Sequence, residues 1–143
     1  CDGALRRQHV HPGQGDGRSR GRCKFFETLI QQAVAHCEAE FKLAKPQPDG
    51  ASMRSHLEAV YRQTGRMPLK LAEVPELPVE LTYLWLWFCE LDVARGNNGY
   101  SFVPLSNTEI QAWSLLTRNE PLPWEIMVIR RIDTVRIRVA NEK

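Results

Sequence analysis

The side chains that could do chemistry are few and scattered. His9-Val10-His11, with Cys1 and Cys23, supplies zinc-type ligands. Structural zinc sites draw on cysteines paired two to four residues apart, and no such pair occurs here. His36 and Cys37 are neighbours within a helical pattern, and adjacent positions on a helix do not face each other, so a Cys–His nucleophile is not expected. His56 lies between Ser55 and Glu58 on a solvated face. The carboxylate pairs Glu38/Glu40 and Glu90/Asp92 are two apart, which sends them to different helix faces. No phosphate-binding glycine loop, dinucleotide fingerprint, HExxH or GxSxG motif is present. Nothing points to an enzyme, a cofactor or a bound metal.

The informative cluster is aromatic. Tyr83, Trp85, Trp87 and Phe88 crowd one short stretch, and all four tryptophans fall between Trp85 and Trp124. Leu81, Leu84, Trp85, Phe88 and Leu91 form one helical stripe, onto which Trp113 and Trp124 are expected to pack as core. Tyr83 and Trp87, four residues apart, project from another face. A Tyr/Trp pair so placed is either covered by neighbouring helices or is a protein-binding hot spot. Tyr100 and Phe102, in the following loop, extend this candidate partner surface.

The elements that must position these residues are helices. Phe26, Leu29, Ile30, Ala33, Val34, Cys37 and Phe41 recur at spacings of three and four, predicting a helix over 24–43 that ends at Pro46-Gln47-Pro48-Asp49-Gly50. A second helix, 53–64, is capped by Ser52 and closed by Gly65. Residues 66–79 hold three prolines and read as an extended connector. A third helix runs from about Pro78 to Arg95 and stops at Gly96-Asn97-Asn98-Gly99. Ser106 and Glu109 make a capping box for the fourth, and Pro123 suits the first turn of a fifth. Trp124, Val128, Ile132, Val135 and Val139 form the fifth helix's stripe, widened by Ile126, Ile129 and Ile137, with Arg130, Arg131, Asp133, Arg136 and Arg138 around it. The β-branched residues leave a strand as the alternative there. Five helices with short connections define an all-α domain.

Length and composition agree with that reading. At 143 residues, 43% hydrophobic and 25% charged, the chain fits one globular domain and excludes collagen-like and wholly disordered classes. No apolar run reaches the length of a membrane span. The net charge of +2 is unevenly spread. Residues 1–24 carry Arg6, Arg7, Arg18, Arg20, Arg22 and Lys24 against Asp2 and Asp16, so the remainder is slightly acidic. Expected segments are a flexible Gly/Arg-rich tail over 1–23, a helix and linker over 24–45, and a helical domain over 51–143. Four dispersed cysteines and the absence of a signal-peptide pattern suggest a reducing, cytoplasmic setting. Starting on Cys rather than Met fits a fragment, a processed product or the downstream part of a longer translation product.

Several motifs in order carry a family resemblance. Leu84-Trp85-Leu86-Trp87-Phe88 and Ala94-Arg95-Gly96 are followed by Leu105-Ser106, Glu109-Ile110 and Trp113, then by Pro123-Trp124-Glu125 through Asp133. With the upstream MRSHLEAVYRQTGRMP, 53–68, they resemble tail assembly chaperones of long-tailed bacteriophages over about residues 53–139. The resemblance implies a non-enzymatic protein that keeps the helical tape-measure protein soluble and recruits tail-tube subunits. It also implies action in the host cytoplasm, absence from the finished virion, and production in two forms by a programmed frameshift. Homo-oligomerisation is compatible with it, and no membrane partner is implied. The alternative is a small DNA-associated or protein-binding adaptor using the Arg-rich tail and the Arg130/Arg131/Arg136/Arg138 face. Phosphate binding normally needs a net basic fold, so nucleic acid is the less expected partner.

Overall fold

The computed structural model describes residues 17–96 and 102–142, with side chains from Cys23 onward. Residues 1–16 of the expected tail, including Cys1, His9 and His11, lie outside the described residues, as does Tyr100. Among the described residues the elements are helical: α1 Gly17–Ala44, α2 Met53–Thr64, α3 Leu69–Ala72, α4 Thr82–Val93, α5 Asn107–Thr117 and α6 Pro123–Asn141. A 3-10 turn, Val79–Leu81, leads into α4.

Local chemistry accounts for most helix ends. The Ser52 hydroxyl accepts from Ser55 N–H, and Gly65 at φ 67° ends α2 by returning its N–H to the Tyr61 carbonyl. Ser106 and Glu109 form the expected reciprocal capping box of α5. Pro123 occupies the first turn of α6, where its missing N–H costs nothing, and the Glu125 carboxylate accepts the Leu122 N–H at 2.6 Å. The segment between α1 and α2 closes as a tight turn, with Gly50 at φ 83° donating to the Gln47 carbonyl at 2.8 Å.

Three expectations are corrected. α1 begins at Gly17, inside the segment read as tail, instead of at Lys24. The connector 66–79 is not wholly extended: Leu69–Ala72 forms a helical turn whose Leu71 and Ala72 N–H groups donate to the Pro68 carbonyl. Leu, Lys and Ala are strong helix formers, and Pro68 ahead of them supplies a compatible φ. Asp133, read as part of the polar surround of the last helix, is buried. That helix is a helix throughout, and its β-branched residues serve packing: Val128, Ile129, Ile132, Val135 and Val139 are all buried.

One core joins α1 to everything after the 3-10 turn. Ile30, Ala33, Cys37 and Phe41 of α1 meet Leu81, Leu84, Phe88 and Leu91 around α4, Ile110 and Trp113 of α5, and the α6 stripe. α6 lies chiefly against α1 and also against α4, while α5 packs on α4 and α2 on α1. α2 buries no residue and is tied to α1 by an Arg54–Glu40 ion pair in which one guanidinium nitrogen donates to both carboxylate oxygens, at 2.7 and 2.8 Å.

Candidate functional site

α4 is apolar almost all round, TYLWLWFCELDV, so its environment is decided by its neighbours. Leu84, Phe88 and Leu91 point into the core and are at most 2% exposed. Trp85, on the edge of that stripe, is half-buried and packs on Phe41 at 5.5 Å between ring centres. Trp113 is buried in agreement with the core expectation, whereas Trp124 is half-buried and meets Phe26 edge-on at 5.0 Å.

Tyr83 and Trp87 lie on the adjoining edge, both half-buried and packed against the core. Their rings meet edge-to-face at 5.0 Å, and Trp87 continues to Trp113 at 5.4 Å. The Tyr83 hydroxyl donates to the buried Glu125 carboxylate. Burial, and then that carboxylate, hold the Tyr83 hydroxyl above the ordinary phenol range, so it remains a donor. Trp113 Nε1 in turn donates to Glu90 at 2.8 Å. The pair therefore forms an aromatic seam joining α4 to α5 and α6, with part of each ring accessible.

Phe102 belongs to a different place. Its ring lies under the Arg136 guanidinium at 4.5 Å and near Arg95 at 5.9 Å. The α6 partners of Tyr83 and Phe102, Glu125 and Arg136, are about 16 Å apart along the helix axis. Tyr83 and Trp87 are thus brought together, and Phe102 is not brought to them.

Sequence reasoning missed three apolar residues on and beside α4 that face outward. Val79, Leu86 and Val93 are 80%, 56% and 90% exposed and stand opposite the buried stripe. Leu86 and Val93, seven residues apart within α4, share one face apart from a drift of about 20°, and Val79 stands on the 3-10 turn ahead of it. That spacing was the available signal. Glu80 and Glu90 are also exposed, Glu90 while accepting from Trp113 Nε1.

A second missed feature supports the site from behind. Arg95, only 2% exposed at its side chain, pairs with Asp133 and with Asp92 at 2.9 Å, and donates to the Val103 carbonyl at 2.6 Å. Asp133 also accepts the Leu105 N–H at 2.9 Å. The network fastens the chain on both sides of residues 97–101 to α6.

The residues considered for catalysis are occupied otherwise. Burial pushes the Cys37 thiol up to about 12, leaving it without nucleophilic character. The His36 ring bonds the Pro75 carbonyl at 2.7 Å, and His56 meets Asp49 at 3.0 Å. Among the described residues no three His, Cys, Asp or Glu side chains gather as a metal site would require. Three of the four arginines of the alternative basic face are ion-paired: Arg131 with Glu27 at 2.6 Å, Arg136 with Asp92 at 3.1 Å, and Arg138 with Glu38 at 2.7 Å. Among the described residues, no helix is long and apolar enough to cross a membrane.

Fold and site together define a small all-α protein whose distinctive surface is an exposed apolar helix face on a rigid core. The chain belongs to the phage tail assembly chaperone family, whose model matches residues 60–138, more than half of its length. The match runs from within α2 to the last turns of α6. Membership places the protein's work in the host cell and implies interaction with tail proteins in a chaperone's role. No curated protein matches this sequence, and no solved structure does.

Proposed function

We propose that this chaperone binds the tape-measure protein of its phage and keeps it soluble during tail assembly, using the outward face of α4, and that it helps recruit tail-tube subunits. The observation that carries the reading is the exposure of Leu86 and Val93 on a helix whose opposite face is locked into the core, with Val79 exposed on the 3-10 turn that leads into it. A long helical protein awaiting assembly has apolar stripes that would otherwise aggregate, and a helix face of matching character covers one of them. Fully burying a Val or Leu side chain contributes about 1.5–3 kcal/mol, so three of them with Tyr83 and Trp87 at the edge make a small but sufficient hot spot. Tyr83 and Trp87 are the aromatic anchors in this reading. Phe102 and Tyr100 are candidates for a separate contact, such as the one with tail-tube subunits.

Co-expression with the tape-measure protein tests the reading. The parent should raise the soluble fraction of that protein and co-purify with it, and a Leu86→Gln/Trp87→Ala variant of unchanged helix content should do neither. A parent that leaves the tape-measure protein insoluble sinks the proposal. The DNA-adaptor alternative predicts duplex binding that falls steeply with salt and is weakened by Arg130→Ala and Arg131→Ala.

A further inference from the structure

We propose that the protein pairs with a second copy of itself through residues 60–80, the basic arm of each copy, formed by the end of α2 and by α3, lying on the acidic segment 73–80 of the other. The inference goes beyond the reading of α4 and does not depend on it. It starts from a helix that the fold of one copy does not account for. α2 has 12 residues and buries none of them, and α3 buries none either. Helices shorter than about 12–15 residues are marginal in water unless an amphipathic face is packed. The first turn of α2 is tied to α1 by the Arg54–Glu40 pair and by the Met53 N–H, which donates to the Lys45 carbonyl at 3.1 Å. From Val60 to Met67 every residue is exposed, although the Gly65 stop fixes the backbone there. Val60, Tyr61, Met67 and Leu69 therefore stand in solvent on an arm of defined backbone, as a surface that a partner covers would.

Charge identifies the partner. Residues 60–72 carry Arg62, Arg66 and Lys70 and no acidic residue, whereas residues 73–80 carry Glu73, Glu76 and Glu80 and no basic one. All six are exposed, and none is ion-paired among the described residues. Arg62 donates to the Glu58 carbonyl at 3.4 Å and Lys70 lies 3.9 Å from the Met53 sulfur, contacts that leave both charges uncompensated. The acidic segment is fastened to α1 instead: Gln32 donates to the Glu76 carbonyl at 3.1 Å, and the His36 ring bonds the Pro75 carbonyl at 2.7 Å. A stretch with cations in its first part and carboxylates in its second is complementary to another copy of itself. Two-fold symmetry then makes each contact twice, and opposite charges brought together select that pairing over others. The four apolar side chains of the arm supply contact area that charge alone does not. Nucleic acid offers phosphates to the arginines, but it leaves those side chains uncovered and is repelled by the adjoining carboxylates.

The test is the oligomeric state of the full chain. Sedimentation velocity at up to about 100 µM, above the micromolar limit of ordinary interfaces, should show a dimer. Arg62→Glu/Arg66→Glu and Glu76→Lys/Glu80→Lys each bring like charges together, and each should weaken the dimer at least about tenfold at low salt. Circular dichroism should show their helix content unchanged. Mixing the two variants should restore a dimer with one copy of each, because opposite charges meet again at both contacts. Tyr61→Gln/Met67→Gln should also weaken the dimer at least about tenfold, and it serves in place of a charge variant that loses helix. A parent that stays monomeric at that concentration overturns the proposal. So does a dimer indifferent to the charge reversals, or one that mixing the two variants fails to restore. A monomeric parent whose arm variants fail in co-expression with the tape-measure protein assigns the arm to that partner and likewise overturns self-pairing. The two readings fail separately, because the dimer is measured on the chaperone alone and the α4 reading on the solubility of its partner.

Discussion

Replacing Asp133 by Ala should be the most damaging single change outside the apolar core. The wild-type carboxylate accepts from the Arg95 guanidinium through one oxygen and from the buried Leu105 N–H, at 2.9 Å, through the other. Removing one partner of a buried ion pair costs about 3–5 kcal/mol because the remaining charge is left uncompensated. Arg95 keeps Asp92 at 2.9 Å and the Val103 carbonyl at 2.6 Å, which places its share at the lower end. The orphaned Leu105 N–H adds about 1–3 kcal/mol of unmet hydrogen bonding. These terms overlap, and a total of about 4 kcal/mol is expected, a large part of the 5–15 kcal/mol stability of an ordinary domain. Asp133→Asn keeps an acceptor for Leu105 and should cost about half as much. Urea denaturation followed by far-UV circular dichroism gives both values, and at about 2–4 °C per kcal/mol the Ala variant should melt roughly 8–16 °C lower. Replacing both charges, as in Arg95→Met/Asp133→Leu, should cost less than Asp133→Ala alone. A loss under about 1 kcal/mol for Asp133→Ala, or equal losses for the Ala and Asn variants, would refute the network as the fastening of Arg95 and Leu105 to α6.

Three further outcomes are expected. Trp113→Ala should lower stability by about 3–5 kcal/mol in urea titrations, while Trp124→Ala, at a half-buried position, should cost roughly half of that. Tyr83→Phe removes the donor to the buried Glu125 carboxylate and should cost about 1–3 kcal/mol with the ring packing retained, which thermal melts would register. Hydrogen bonds from the Ser106 backbone and hydroxyl hold Glu109 below its ordinary value of 4.5. A carboxyl group so lowered contributes stability that is present above its unfolded value and is lost as pH falls through the folded one. Glu109→Gln should therefore lose less stability than the parent on acidification from above pH 4.5, and parallel acid limbs in the two melting profiles would count against the cap.

Most helix ends could be read directly from the sequence, the start of α1 and the short α3 excepted. The Ser106/Glu109 box, the Gly65 stop, the Ser52 cap and Pro123 each act within about four residues, so residue type and spacing suffice. The apolar stripes of α1 and α6 were equally legible, because polar residues on the opposite face give the period its contrast. α4 offers no such contrast. Leu84 and Leu86 are indistinguishable by type, yet one is 1% and the other 56% exposed. Which side is covered depends on where α5 and α6 come to rest, and that is why Tyr83 and Trp87 are half-buried while Val79 and Val93, which attracted no notice, stand in solvent. Asp133 shows the same dependence. A carboxylate on an arginine-rich helix looks solvated until Arg95, far away in sequence, folds over it and the Leu105 N–H completes its bonding. Short-range hydrogen bonds and periodicity are properties of a segment, whereas burial of a side chain on an all-apolar helix, or pairing of a charge across the chain, exists only once the helices have packed.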